Sequence, residues 1–548
     1  MRRLTTAILA VIMTFSALTG CGSAPSPGTV QNTETVQNTQ SQEASKIYRA
    51  AIDTDWEHCD PQMTTVDYTV PLNIFDRLVE VKSDKDSSAI VPGLATDWTV
   101  SDDGLVYNFK LRQGVKFHNG EIFKADDVKY TFERMLLPEN NTRNSDALTP
   151  IKGADAMLNG EVTALDGLKI ISDYEIEITL EDAYAPFLAN IATPAGSVFN
   201  RKATEAAGLE FGVNPDKTCG TGPYYLAEWA ANDHTLILAF NDYWGGSPKN
   251  DGVRFQVVPD EESLRMMFEN DELDEVDLDM ARSHIPYFKS SDKWKNQVIM
   301  GDRVGIYYYS MNENIKPFDD VRVRKAFQMS IDRQGILDSP LFSGLGSVHS
   351  GIMPPGLIGY NPDLPEIKYD PDKAKQLLAE AGYPDGFEMV INQVSGNSTT
   401  LSLNELVVSM LAKVGIKATI EQLDEASYYA IRGEGELSTY TTSWSADFND
   451  PDNFFYSMWA PANSVNRSWN YYNTDAMNRI VAARYMTDQT ARIAEYRALE
   501  KLVIQDDAVW APLFSLKHLW VVQPRVQNFK PLWNGWSGTF YNDITLAG

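Results

Sequence analysis

Phe387-Glu388-Met389-Val390-Ile391-Asn392-Gln393-Val394 reads as a buried strand, and the stretch from there to residue 444 decides the fold class. A helical stripe comes next, Leu403, Leu406, Val407, Met410, Leu411 and Val414, stopped by Gly415. A second strand is expected over 416–423, a helix over 425–432 and a third strand over 438–444. Strand, helix, strand, helix, strand is the order of an α/β layer with a parallel sheet. Just upstream, Asp370 caps a helix with Pro371 at its first position, an apolar face of Ala374, Leu377, Leu378 and Ala381, and Gly382 at its end.

Moving outward, the texture changes. Tyr107, Phe109 and Leu111 alternate with polar residues, and Gly114, Val115 and Phe117 come after them, so residues 91–117 read as a β-hairpin with a polar outer face. Residues 47–52 form a short strand and residues 71–79 a helix. No internal repeat stands out.

At the start, Arg2 and Arg3 precede an apolar run that is too short to span a bilayer and ends in Leu18-Thr19-Gly20-Cys21. Residues 1–20 are thus an export signal, and the tetrapeptide is similar to a lipobox, with Cys21 as the lipid-bearing residue; ordinary secretory cleavage is the alternative. Residues 21–45 are rich in Ser, Thr, Gln and Asn and read as a flexible tether. The formal charge is −28, or 45 − 75 = −30 once Arg2 and Arg3 are lost, a field that repels phosphate backbones and excludes nucleic acid as a partner. Past Cys21 only Cys59 and Cys219 remain; in an oxidising compartment they form one disulfide or stay as two buried thiols.

Enzyme motifs are missing. His58, His118, His234, His284, His349 and His518 never fall four apart, so there is no HExxH helix; no GxSxG elbow occurs, and Gly220-Thr221-Gly222-Pro223 lacks the third glycine of a dinucleotide loop. The acidic run from Asp271 to Asp279 lacks the central glycine of a calcium loop and reads as a solvated helix end entering a strand. No catalytic residue, cofactor or metal is expected.

Several blocks in fixed order carry a resemblance. They are Asn73-Ile74-Phe75-Asp76-Arg77-Leu78-Val79, Val91-Pro92-Gly93-Leu94-Ala95-Thr96-Asp97-Trp98, the run from Ser101-Asp102-Asp103-Gly104 to Phe117-His118-Asn119-Gly120, Gly220-Thr221-Gly222-Pro223-Tyr224, Tyr243-Trp244-Gly245, and Pro317-Phe318-Asp319-Asp320 with Ile331-Asp332-Arg333. The set resembles the bacterial extracellular solute-binding proteins of family 5, which serve peptide and nickel ABC importers. The resemblance implies an α/β, two-lobed, periplasmic-binding-protein-like clam-shell of type II. Lobe I would comprise residues 46–75, 217–303 and 515–548, an extra subdomain inserted in it residues 76–216, and lobe II residues 304–514. Arg322 and Arg324 are expected to form salt bridges around a helix start.

Trp444-Ser445-Ala446-Asp447 ends the last strand of the α/β run, where open sheets bind ligands. A carboxylate buried there by lobe closure needs a cation. In peptide-binding relatives the aspartate of this block pairs with the ligand's amino terminus, which gives Asp447 that role. Trp444 and Ser445 flank it, Trp444 as the wall of a side-chain pocket. By the same resemblance Thr64 and Thr65 line the cleft, and Arg432 matches by offset a basic residue of some oligopeptide binders. Dipeptide binders carry an arginine in the loop after the strand ending at Val394; here that loop is Ser395-Gly396-Asn397, which points to longer peptides. The expected function is a monomeric, exported binding protein, lipid-anchored to the outer face of the cell membrane or periplasmic, that delivers oligopeptides to an ABC permease and ATPase. The alternatives are a nickel chelate or oligosaccharide as ligand, or a peptide-sensing lipoprotein.

Overall fold

Tyr48, Ala50 and Ile52 are buried and the residues between them half-buried, the period of two that makes β1 (Ile47–Ile52) a strand. The computed structural model describes residues 46–65, 68–81, 89–342, 345–530 and 539–547, Asp302 by its backbone alone; the export signal, Cys21 and the tether lie outside the described residues. After β1 a helix runs only over Thr69–Ile74, shorter than the sequence suggests. It stops because the next residues are claimed from far away: buried Asp76 accepts hydrogen bonds from Thr221 Oγ1 (2.9 Å), Tyr243 Oη (3.1 Å) and Trp244 Nε1 (2.8 Å).

The chain then pairs β2 (Val79–Val81) with β3 (Ile90–Pro92) and builds an antiparallel sheet in the order β4-β5-β7-β6. Its strands are β4 (Ala95–Val100), β5 (Val106–Leu111), β6 (Leu168–Ser172) and β7 (Glu175–Thr179). Tyr107, Phe109 and Leu111 are its buried face, as the alternation predicts. They share a core with Val128, Phe132 and Met135 of the helix Ala125–Leu136. The chain returns through β8 (Tyr224–Ala230), β9 (His234–Ala239) and β10 (Gly252–Val257), and β10 lies parallel to β1.

β11 (Glu275–Asp277), β12 (Val298–Asp302), β13 (Gly305–Ser310) and β14 (Gly346–Val348) all pair antiparallel with one long strand, β18. Between them in sequence lie β15 (Glu388–Val394), β16 (Lys417–Leu423) and β17 (Thr441–Ser445); β18 spans Trp510–Val522, and β19 (Val526–Gln527) and β20 (Thr545–Leu546) form a last small pair. β12 meets the C-terminal half of β18 and β13 its N-terminal half, so the chain crosses from one half of β18 to the other at Arg303 and Val304.

β15 and β16 are parallel, linked by the helix Ser398–Ala412, whose start Asn397 caps by accepting from Thr400 N (2.9 Å) and after whose end Gly415 adopts φ +90°. Asp370 likewise caps the helix Pro371–Glu380, followed by Gly382 at φ +96°. The third strand departs from expectation. β17 pairs antiparallel with β13, and the segment before it touches β15 in one parallel bridge, Asn392↔Tyr440. A partner more than a hundred residues upstream captures it, which local periodicity cannot show.

Of the two alternatives for the cysteines the second holds: Cys59 and Cys219 are not joined, and each thiol is buried, in a different core. One further expectation is corrected. The acidic run is not solvated at its centre: Asp274 pairs with Arg49 and Arg525, and buried Glu275 accepts from Tyr48 and Tyr541. Arg322 and Arg324 pair with Asp320 and Glu313, as expected.

Candidate functional site

β17 ends at Ser445, and Ala446 N donates to Val304 O (2.8 Å), which fixes the point where Asp447 leaves the sheet. Six residues on, Asn453 holds the whole turn. Its Oδ1 accepts from Trp444 Nε1 (3.1 Å) and Asp447 N (3.1 Å), while its Nδ2 donates to Asp447 Oδ2 (2.9 Å). Asn453 is itself immobilised in the first turn of the helix Pro451–Trp459. That helix is capped by Asp450, which the buried Arg492 grips with two bonds of 2.8 and 2.6 Å.

Solvent reaches Asp447, yet protein atoms surround it closely enough that crowding pushes its carboxyl above the usual Asp range; Asn453 pulls it back, Asp146 pushes it up, and Arg467 lowers it. Accessibility together with crowding is the signature of a group on the wall of a concave space. Asp146 shares it: exposed, and raised by burial. Arg467 does not pair with Asp447. Its guanidinium lies 5.0 Å over the Trp444 ring and its Nε donates to Ser457 O (3.0 Å). Among the described residues no Lys, Arg or His nitrogen lies within 4 Å of the Asp447 carboxylate.

Facing Asp447 is Tyr68, pushed up to about 12 by burial and by the Asp447 charge. Tyr68 Oη donates to Thr64 O (3.0 Å), which also accepts from Asn144 Nδ2 (2.7 Å). Thr64 is buried and Thr65 exposed, so the backbone carbonyl of Thr64, rather than its side chain, organises this wall. Ser445 is half-buried at the end of β17, in register with Gly305. Arg432 does not join the group: its guanidinium stacks 4.9 Å over Tyr429, and the arginine whose charge reaches Asp447 is Arg467. The site thus brings together Thr64, Tyr68, Asn144, Asp146 and residues 444–453. Sequence reading missed Tyr68, Asn144, Asp146, Arg467 and Asn453; only Asn453, in the first turn of a capped helix six residues past Asp447, left a local signal.

The family model for bacterial extracellular solute-binding proteins, family 5 (middle region) matches residues 89–466. The chain belongs to that family. Heme-binding protein A of Haemophilus influenzae is 30% identical over 471 residues, covering 83% of this chain and 84% of that protein. The Dipeptide-binding protein of Escherichia coli is 31% identical over 499 residues, covering 85% and 88%. Among solved structures, the ABC transporter-associated periplasmic binding protein DppA from Helicobacter pylori in complex with peptide STSA aligns at TM-score 0.72 and 25% identity, over 92% of this chain and 98% of that one. NikA from Brucella suis in complex with Fe(III)-EDTA, at TM-score 0.78 and 22% identity over 91% and 99%, shares the fold. The fold of this family 5 protein is accordingly the type II clam-shell with an extra subdomain. The family is one of substrate-binding transport proteins. Among the described residues no helix is long and apolar enough to cross a membrane, and no three His, Cys, Asp or Glu side chains are grouped to hold a metal.

Proposed function

We propose that this family 5 protein captures oligopeptides in the recess that Asp447 faces and delivers them to an ABC permease, held outside the cell by lipid on Cys21. Lobe I (residues 46–75, 217–303 and 515–548), with its inserted subdomain (76–216), and lobe II (304–514) close over the ligand about the two places where the chain passes between β18's halves. One observation carries the peptide reading. The Asp447 carboxylate is fixed by Asn453 and crowded by protein, with no basic partner within 4 Å among the described residues. A charge so placed has no counter-ion until a cation arrives and the lobes close over it, and a peptide's α-ammonium is a cation that also brings main-chain donors and acceptors. β17 offers these a partner: it is the last strand in the order β11-β18-β13-β17, an edge along which an extended peptide can lie. Asp146, facing the same space, disfavours an anionic ligand there.

Titration calorimetry of tri- to hexapeptides, each with a free and an N-acetylated terminus, tests this. Acetylation and Asp447→Asn should each weaken binding by roughly a hundredfold, and the two losses should not add. Equal affinity for free and acetylated peptides would remove Asp447 from the role.

A further inference from the structure

At the end of β17 away from Asp447 lies a cavity of about 200 Å³. Thr441 and Thr442 line it from β17, Asn397 and Thr400 from the start of the helix Ser398–Ala412, Tyr307 from β13, and Arg282 from the turn after β11. The helix start is not an anion receptor by itself, because Asn397 Oδ1 already takes the Thr400 N–H. The charge in the cavity is that of Arg282.

That charge is only partly neutralised. Asp279 lies 3.2 Å from Arg282 and 3.4 Å from Arg303, and among the described residues it is the one acid within 4 Å of either guanidinium. Two guanidiniums therefore share one carboxylate, which His518 Nδ1 also contacts at 3.0 Å. Neighbouring Asp277 adds little negative charge, since burial and the Asp279 charge push its carboxyl up toward the neutral form. So the two ends of β17 face opposite signs: Asp447 and Asp146 at one, Arg282 at the other. Thr442 and Asp447 are 447 − 442 = 5 positions apart, at most about 16 Å at ~3.3 Å per residue, since Asp447 lies just past the end of the strand.

We propose that this cavity is a carboxylate subsite, in which Arg282 pairs with the carboxylate of a peptide of about four to five residues whose ammonium sits at Asp447. The subsite rests on the peptide reading above and deepens it, by making charge at both ends of the ligand a measure of its length. Arg282 stands in the segment assigned to lobe I and the other lining residues in the segment assigned to lobe II, so a carboxylate bound here also joins the lobes.

The test is titration calorimetry of tri- to hexapeptides as free acids and as C-terminal amides, on the wild-type chain, Arg282→Met, Arg282→Lys and Thr442→Leu. Amidation should weaken tetra- and pentapeptides roughly tenfold or more in the wild type. Arg282→Met should bind acid and amide alike while keeping the full N-acetylation loss, and Arg282→Lys should recover part of the preference for the acid. Amidated peptides ending in Glu that regain affinity would identify a side-chain carboxylate as the occupant of the same subsite. Thr442→Leu narrows the cavity without touching its charge and should weaken the pentapeptide acid more than the tripeptide, a readout that stands if Arg282→Met folds poorly. An amidation loss of wild-type size in Arg282→Met, or none in the wild type at any length, overturns the subsite while N-acetylation still reports on Asp447. Loss of the N-acetylation effect overturns both.

Discussion

In the role proposed for it, Asp447 sits where ligand affinity and stability pull in opposite directions. Its folded-state pKa is raised, chiefly by crowding. Its contribution to stability is therefore fully present below the unfolded Asp value of about 3.9 and is lost as pH rises through the raised one. At neutral pH the ionised carboxylate works against the ligand-free fold. Asp447→Asn keeps an oxygen for the Asn453 Nδ2 bond and should raise the melting temperature of the ligand-free chain by about 1–3 °C, while the rise on adding peptide disappears. A melting temperature that fell would make Asp447 a structural residue. Peptide affinity in the wild type should weaken on acidification earlier than an ordinary aspartate allows, which calorimetry between pH 4 and 7 would show.

The helix Pro451–Trp459 decides whether that carboxylate is held or loose, because it carries Asn453 and is anchored through Asp450 to Arg492. Arg492 is fully buried and Asp450 nearly so. Arg492→Met should cost about 3–5 kcal/mol, since it leaves Asp450 buried without its cation, and should weaken peptide binding through Asn453 even well below the melting range. Adding Asp450→Asn should restore part of the stability in a denaturant titration; no recovery would mean that the guanidinium matters through its packing. Elements of this kind divide by how local their causes are. Asp370 with Pro371, the stripe from Leu403 to Val414, and Gly415 were legible because cap, face and stop lie within one helix. β17 was legible as a strand, but its partner β13 was not, and neither was the early stop of the helix Thr69–Ile74, set by Thr221, Tyr243 and Trp244. The site divides in the same way: the block from Trp444 to Asp447 could be read at a strand end, whereas Tyr68, Asn144 and Asp146 reach it from hundreds of residues away.

At the scale of the whole molecule, several buried carboxyls among the described residues shift in the same direction. Burial pushes Glu275, Glu313 and Glu500 up to about 7 and Asp452 up to about 6. Each contributes stability that is complete below its unfolded value near 4 and fades as pH rises through 6 to 7. The chain's formal charge of −28 adds self-repulsion in the same direction. The protein should thus melt at a higher temperature at pH 5.5 than at pH 8. Glu500 isolates the cause. One of its oxygens, Oε1, accepts from both Ile352 N and Met353 N, each at 2.8 Å, and Glu500→Gln retains that acceptor. At pH 5.5 the folded carboxyl is protonated while the unfolded one is already mostly ionised, so part of the destabilisation is present; at pH 8 it is nearly complete. Glu500→Gln should therefore stabilise the chain by about 2 kcal/mol more at pH 8 than at pH 5.5. Denaturant titrations of both chains at the two pH values give the comparison directly; an equal effect of Glu500→Gln at pH 5.5 and pH 8 would mean that packing around Gly351, not ionisation, sets its contribution.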